Sequence, residues 1–130
     1  MVIAIKTDSD PTELYLVDDK NNTGSIVVDK SWSANRALAR NLLGEIEKIT
    51  GKDFGILSGI IVYEGPGSFT GLRIGITTAN TMSYALNLPI VGSTGSKWLK
   101  RGLIRLRDNE NDRIVLPKYG SEAHITAPKK

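Results

Sequence analysis

The sequence has 130 residues, of which 40% are hydrophobic and 24% charged, and its formal net charge is +3. This length and composition fit one folded domain with a single core, and they exclude the disordered and fibrous classes. Because the chain contains no cysteine, disulfides, thiolate zinc sites and cysteine nucleophiles are excluded as well. The apolar run at residues 2–5 is too short for a signal peptide or a membrane span, so we expect a cytoplasmic protein.

The beginning of the chain predicts a meander of three antiparallel strands. Short apolar segments at residues 2–5, 13–17 and 25–28 are separated by polar residues, with turn-forming residues at 18–22. A helix is predicted next, over residues 33–50, because apolar side chains recur there every three or four positions. Ser31 or Ser33 is its expected N-cap, and Gly51 its expected stop.

Strands and helices alternate in the second half of the sequence. The continuous apolar run at residues 60–63 predicts a central strand covered on both faces. A glycine-rich loop, a second helix to Leu86 and a strand at residues 88–91 follow, which implies parallel crossovers. We also expect a short basic helix at residues 96–106, a last strand at 114–116 and an irregular end.

This order of elements predicts an α/β protein, a single ribonuclease-H-like domain of the actin-like ATPase type over residues 1–130. Its sheet is mixed, with the three-strand meander preceding alternating helices and strands. Residues 97–130 form a basic, partly irregular C-terminal segment, with nine Lys and Arg against four Asp and Glu. Such a segment can contact RNA, although charge alone favours a solvated tail.

The most informative segment is EGPGSFTGLRIGI at residues 64–76, between a predicted strand and a predicted helix. Its glycines permit close backbone approaches, and Ser68 or Thr70 is expected to cap the helix with a hydrogen bond to a backbone N–H. Backbone N–H groups at a helix N-terminus can bind an anion, but a tight strand-to-helix connection also requires glycines. The segment matches neither the P-loop nor the dinucleotide-binding fingerprint, so both interpretations stay open.

The motif GPGSFTGLRIG resembles the signature of the TsaB (YeaZ) family. The residues that carry it are Gly65, Pro66, Gly67, Ser68, Phe69, Thr70, Gly71 and Arg73. The initial VIAI strand, the helix at 33–50 and LNLPIVGST at residues 86–94 resemble the family in order and spacing, so the resemblance covers about the first 95 residues.

The resemblance implies a pseudo-enzyme that belongs to the machinery installing threonylcarbamoyl on tRNA adenosine. Such a protein pairs with a TsaD-like catalytic subunit, works with a TsaE-like ATPase and can form a homodimer when its partner is absent. No catalytic residue, metal or cofactor is then expected in this chain. The basic C-terminal segment becomes a candidate contact for tRNA.

The chain departs from the family in two respects. Typical members carry a second subdomain after the LPIVGST region, and we expect this chain to be a natural miniature form without it. An aspartate ends the first strand of actin-like ATPases near the metal, whereas the corresponding residue here is Lys6. Since a lysine cannot hold Mg²⁺ through water, we expect no nucleotide hydrolysis and no metal at Lys6 or Asp8. We expect Lys6 to be solvated, with a contact to a phosphate as the alternative.

Small residues at every fourth position of the second helix suggest an interface. Gly71, Gly75, Ala79 and Ser83 form this stripe, and together with Leu42 of the first helix we expect them to contact the partner. Packing of the stripe against the chain's own core is the alternative that the pattern leaves open. The lone histidine, His124, has no neighbours suited to a metal site.

Two other functions compete with the partner subunit. A small ATP-dependent phosphotransferase would use the loop from Gly65 to Gly71 for phosphate. A free-standing RNA-binding module would use residues 97–130, but Trp98 and Tyr119 are isolated and no RNA-binding motif accompanies them. We therefore rank the RNA-binding module last.

Overall fold

The computed structural model describes residues 1–20, 24–34 and 37–119. Five strands, three α-helices and one short 3₁₀ turn are assigned there. In chain order they are β1 (Val2–Lys6), β2 (Thr12–Asp18), β3 (Ser25–Trp32), α1 (Leu38–Ile49), the 3₁₀ turn (Phe54–Ile56), β4 (Gly59–Tyr63), α2 (Phe69–Leu86), β5 (Ile90–Ser93) and α3 (Trp98–Arg107).

The strands form one mixed sheet in the order β3-β2-β1-β4-β5. β1 to β3 pair antiparallel, as a meander with short turns must. β4 lies parallel to both β1 and β5, with Ile61 opposite Ala4 on one side and Val91 on the other. These parallel neighbours are reached through helical crossovers. The predicted fold class and the meander are therefore confirmed.

Helices α2 and α3 both pack on β4. Alternate residues of β4 point to opposite faces of the sheet, and each helix covers one of these faces. Ile61 points to α3, where a Cβ atom at Gly102 would lie only 2.5 Å from its Cγ2. On the same face the ring of Trp98 lies 6.0 Å from that of Tyr63 and 6.1 Å from that of Tyr15. Helix α1 packs beside α2, which places these two helices next to each other.

Helix α1 begins later than the sequence predicts. Its buried residues Leu38, Leu42 and Ile46 have the expected four-residue spacing. Ser31, however, lies inside β3, and Ser33 Oγ donates a hydrogen bond to Asp10 Oδ2 at 2.8 Å. The predicted N-cap is therefore wrong, because β3 continues through Trp32 and uses the residues that were expected to start the helix.

The predicted strand at residues 114–116 is also absent from the assigned elements of the described chain. Side chains bind the free edge of β5 instead: Asp112 Oδ2 accepts the Gly92 N–H at 2.8 Å, and Arg105 donates to the Gly92 carbonyl at 2.8 Å. Because side chains already satisfy both backbone groups of Gly92, a sixth strand cannot pair there. Val115 is held against α2, since its N–H and C=O bond to Asn80 at 2.9 and 3.0 Å.

Candidate functional site

The motif loop meets the end of β1 at one edge of the sheet. β1 and β4 are parallel, so their carboxyl ends lie side by side, and the residues after each strand come into contact. Ser68 donates its N–H to the Asp8 carbonyl at 3.0 Å. Thr7 Oγ1 donates to the Gly71 carbonyl at 2.6 Å. Two hydrogen bonds therefore join the β1–β2 turn to the start of α2.

The motif glycines allow these close approaches. Gly65 has a positive φ of 123°, and a Cβ atom there would overlap the carbonyl oxygen of Lys118. At Gly71 a Cβ atom would overlap the carbonyl oxygen of Thr7, and at Gly67 it would overlap the side chain of Asp8. These contacts within the chain explain why glycine is needed at the three positions. They favour a tight strand-to-helix connection over an anion site as the role of this segment.

The loop itself is partly as expected. Pro66, Gly67 and Ser68 are exposed between the strand and the helix, whereas Gly65 is buried. Phe69, Thr70, Gly71 and Arg73 belong to the first turns of α2. In the described structure Ser68 occupies the N-cap position without a side-chain capping bond, and Thr70 already lies inside α2, so the predicted cap by Ser68 or Thr70 is wrong. The Ser68 backbone serves the turn instead, since its carbonyl accepts the Leu72 N–H at 2.9 Å.

Lys6 is not the solvated lysine that the sequence suggests. Its side chain is only 18% exposed, and Nζ lies 2.6 Å from Asp8 Oδ1 and 3.8 Å from Glu13 Oε2. The ammonium also lies 4.7 Å from the centre of the Tyr63 ring, which favours a cation over its face. Burial and the Asp8 charge raise the pKa of Tyr63, whose protonated hydroxyl donates to the Pro66 carbonyl at 3.0 Å.

The residues around Lys6 do not fit the magnesium nucleotide of actin-like ATPases. A Mg²⁺ ion requires oxygen ligands in an octahedral arrangement. Here the two nearest carboxylates, Asp8 and Glu13, face the ammonium of Lys6, which supplies the positive charge that a metal would otherwise provide. Within residues 1–20, 24–34 and 37–119, no group of three or more His, Asp or Glu side chains is placed to hold a metal ion. His124 lies outside the described residues.

The small-residue stripe packs inward, so its expected place in a partner interface is wrong. Leu42 is 1% exposed and Ala79 0%. Gly75 is buried against the side chain of Thr7. Ser83 Oγ donates to the Leu88 carbonyl at 2.6 Å, and Gly71 contacts the Thr7 backbone. The close approach that the stripe permits is to the end of β1, which is the alternative left open by the sequence.

A different stripe of α2 is exposed, and the sequence analysis missed it. Phe69, Arg73, Thr77 and Thr81 are exposed at four-residue spacing on the side of α2 away from the buried stripe. A shallow cavity of about 380 Å³ lies between this stripe and the start of α1. Its lining residues are Ala39, Thr70, Arg73, Ile74, Thr77 and Thr78. Phe69 and Arg73 belong to the GPGSFTGLRIG motif, and this membership was the signal from which the sequence could have indicated the exposed stripe.

Phe69 and Arg73 form an ordered cluster on this surface. Their guanidinium and ring lie 5.2 Å apart, and the ring of Tyr119 lies 4.6 Å from that of Phe69. Segment 115–119 is fixed near the loop, since Lys118 donates its N–H to the Glu64 carbonyl at 2.7 Å and its Nζ lies 3.1 Å from Glu64 Oε2. Even so, Phe69 remains 53% exposed.

Known proteins resemble this chain in sequence and in fold. A family model described as TsaD, tRNA N6-adenosine threonylcarbamoyltransferase, matches residues 32–96. The TsaB protein of Bacillus subtilis, named for tRNA threonylcarbamoyladenosine biosynthesis, is 56% identical over 34 residues, which cover 26% of this chain and 15% of that protein. The tRNA N6-adenosine threonylcarbamoyltransferase of Dictyoglomus turgidum is 31% identical over 108 residues, covering 71% of this chain and 32% of that protein.

Among solved structures, YeaZ from Pseudomonas aeruginosa superimposes with a TM-score of 0.60 at 23% identity, covering 72% of this chain and 43% of that one. The sheet order and crossovers thus define a ribonuclease-H-like fold. The chain belongs to the family that the TsaD model describes, and it is similar to TsaB and YeaZ as well. The matched region spans less than half of each of these relatives. In the described residues, no helix is both long and apolar enough to cross a membrane.

Proposed function

We propose that the chain is a non-catalytic subunit of the machinery that forms N6-threonylcarbamoyladenosine in tRNA. Its role is to bind and stabilise a TsaD-like catalytic subunit. Family membership supports this place in the machinery, because the TsaB and TsaD relatives are both named for this modification. The binding face is the outer surface of α1 and α2.

The observation that carries the proposal is the exposed α1–α2 surface next to the family motif. Leu43 of α1 is 48% exposed and Phe69 of α2 is 53% exposed. The cavity of about 380 Å³ lies between the two helices. A stable interface buries on the order of 800 Å² per partner, which requires both helices rather than one. Exposed apolar side chains beside a cavity are the usual anchors of such an interface.

The surroundings of Lys6 support a non-catalytic role. The ammonium occupies the position where actin-like enzymes use a carboxylate near the metal, and its two acidic neighbours are engaged with it. Gly65 and Gly71 lie against the chain's own backbone, and Gly67 lies against the side chain of Asp8. No feature of the loop therefore favours the ATP-dependent phosphotransferase over the partner subunit.

Several further partners follow from the same proposal. A TsaE-like ATPase would join the complex, and the chain would form a homodimer through the α1–α2 surface when the catalytic subunit is absent. Size measurement by light scattering, with and without the catalytic subunit, tests the homodimer.

The basic segment at 97–130 would contact tRNA, and the protein would act in the cytoplasm, where tRNA is modified.

Reconstitution tests the main proposal. The chain is co-expressed with the TsaD-like protein of the same cell, and the complex is purified and analysed by light scattering. We expect a stable heteromer, together with threonylcarbamoyladenosine formation that depends on the chain. Failure of the two proteins to associate at either low or high salt would contradict the proposal. Calorimetry with ATP and Mg²⁺ addresses the alternative, since binding and turnover by the isolated chain would favour the phosphotransferase.

A further inference from the structure

A second exposed groove lies on the face of the molecule covered by α3. It has a volume of about 540 Å³ and runs between the start of β3 and α3. We call it the α3–β3 groove. Its lining residues are Gly24, Ile26, Ser96, Lys97, Leu99, Lys100, Leu103, Ile104 and Arg107. None of them belongs to α1, α2 or the motif loop, so the groove is separate from the proposed subunit interface.

The floor of the groove is apolar. Ile26 is 49% exposed and Ile104 is 44% exposed, and they lie beside the more buried side chains of Leu99 and Leu103. Single exposed apolar residues are common on protein surfaces, but several that line one groove mark a site for apolar side chains of a ligand. The groove therefore suits a ligand that carries aliphatic groups.

The rim of the groove is positively charged. Lys97 and Lys100 line it, and none of the lining residues is acidic. Among the described residues neither lysine makes an ion pair, whereas Arg105 of the same helix pairs with Glu110 and Asp112. Both lysines lie near the N-terminus of α3, where a positive charge opposes the helix dipole. The two lysine charges do not stabilise α3, so they are available to an anionic ligand.

The groove also begins at a sheet edge. β3 is the outermost strand on its side of the sheet, and residues 25–27 at its start are exposed. At the opposite edge, the side chains of Asn111 and Asp112 accept the N–H groups of Ile90 and Gly92. An outermost strand presents backbone groups with which an extended segment of another chain can pair. Strand addition at β3 would bring such a segment alongside the groove.

We propose that the α3–β3 groove binds an extended segment of a partner protein whose groove-facing residues, at every second position, are both aliphatic and acidic. The segment pairs with the start of β3, its aliphatic side chains contact Ile26 and Ile104, and its carboxylates face Lys97 and Lys100. No aromatic side chain lines the groove, so it lacks the stacking surface by which single-stranded RNA is held. This proposal does not rest on the binding of a TsaD-like subunit, because the groove and the α1–α2 surface share no residue. It does assign Lys97 and Lys100 to a protein segment instead of to the tRNA contact proposed above.

The test uses the whole chain, labelled with ¹⁵N, and a peptide of eight residues, the length of β3. The peptide carries valine and glutamate in turn at every second position, with serine between them, so that both kinds of side chain face the groove. The comparison ligands are a lysine–valine peptide of the same pattern and a single-stranded RNA. We expect amide shifts confined to residues 24–29 and 96–107, with binding that weakens as salt is added. Lys97→Glu, Lys100→Glu and Ile104→Ser should each weaken peptide binding about tenfold.

Matched variants control for charge and hydrophobicity elsewhere. Arg40→Glu changes an exposed charge on α1, and Leu116→Ser changes an apolar residue that is 71% exposed, so both should leave peptide affinity unchanged. The proposal is overturned if the glutamate–valine peptide produces no shifts, or if the shifts map to other elements. It is also overturned if the lysine–valine peptide or the RNA binds at the groove as well as the acidic peptide does. Failure of TsaD binding would leave this result unaffected.

Discussion

Gly75 of α2 lies directly against Thr7, the residue that follows β1. A Cβ atom at Gly75 would overlap Thr7 Oγ1 and would lie 3.1 Å from Thr7 Cβ. The same Thr7 hydroxyl donates to the carbonyl of Gly71, one turn earlier in α2, at 2.6 Å. Thr7 is thus fixed between two small residues of the helix, and this contact sets the distance between α2 and the sheet.

Gly75→Ala should therefore destabilise the protein, although alanine is the better helix former. Overpacking typically costs about 1 to 3 kcal/mol, which exceeds the roughly 1 kcal/mol that alanine gains over glycine in a helix. Gly44→Ala is the matched control, since nothing lies within 4 Å of a Cβ atom there. It should raise the free energy of unfolding by up to about 1 kcal/mol. Urea unfolding measures both, and equal effects of the two changes would contradict the inward packing of the stripe.

Thr7→Ala should lower stability by about 1 kcal/mol, because it removes the hydrogen bond to Gly71. It also removes the hydroxyl that an alanine at position 75 would overlap. In the double variant the two costs should therefore not add, and the coupling energy should be on the order of 1 kcal/mol. Strict additivity in urea unfolding would show that residue 75 is accommodated without displacing Thr7.

The sequence predicted the fold well, because its local patterns and the sheet agree. The continuous buried runs predict β1 and β4 as strands covered on both faces. The four-residue spacing predicts α1 as a helix with one buried side. The start of α1 was mispredicted, since Ser31 can cap a helix or extend a strand and only pairing with Glu13 of β2 decides between them.

Side-chain partners distant in sequence explain the remaining errors. Lys6 looked solvated because its neighbours Glu13 and Tyr63 are brought to it only by the sheet. The inward direction of the α2 stripe depends on Thr7, 68 positions before Gly75. A four-residue period of small residues cannot by itself reveal whether that side of the helix contacts the chain's own core or a partner. The motif, in contrast, identified the loop and the family directly.

Asp112 should make stability depend on acid pH. Burial by itself raises the pKa of this carboxyl, but hydrogen bonds from Arg105 and the Gly92 N–H outweigh it and hold the pKa below its ordinary range. A group with a lowered pKa contributes its full stabilisation above the unfolded-state pKa and loses it as pH falls through the folded-state value. The native protein should therefore lose part of its stability below about pH 4.

Asp112→Asn removes the charge and retains the shape. Arg105 lies 2.9 and 2.5 Å from the two Asp112 oxygens, and the side chains are 31% and 27% exposed. We expect a loss of about 1 to 2 kcal/mol at neutral pH, reduced by solvent screening. Thermal unfolding should show the difference from the native protein shrinking as pH falls below about 4. A difference that does not change with pH would mean that the ionised carboxylate contributes nothing.

The outer face of α1 and α2 should bind the TsaD-like subunit, and two variants locate it. Thr77→Arg changes an exposed residue that lines the α1–α2 cavity, and Leu43→Glu changes an exposed residue of α1, one turn after Ala39 of the lining, so each should cost little stability. Placing a charge or bulk in a desolvated interface typically costs 2 kcal/mol or more, on the order of thirtyfold in affinity. Ile104→Glu, on α3, is the matched control and should bind normally. Calorimetric titration of the catalytic subunit measures all three affinities. Normal binding by both α1–α2 variants, with unchanged melting temperatures, would place the partner on another surface.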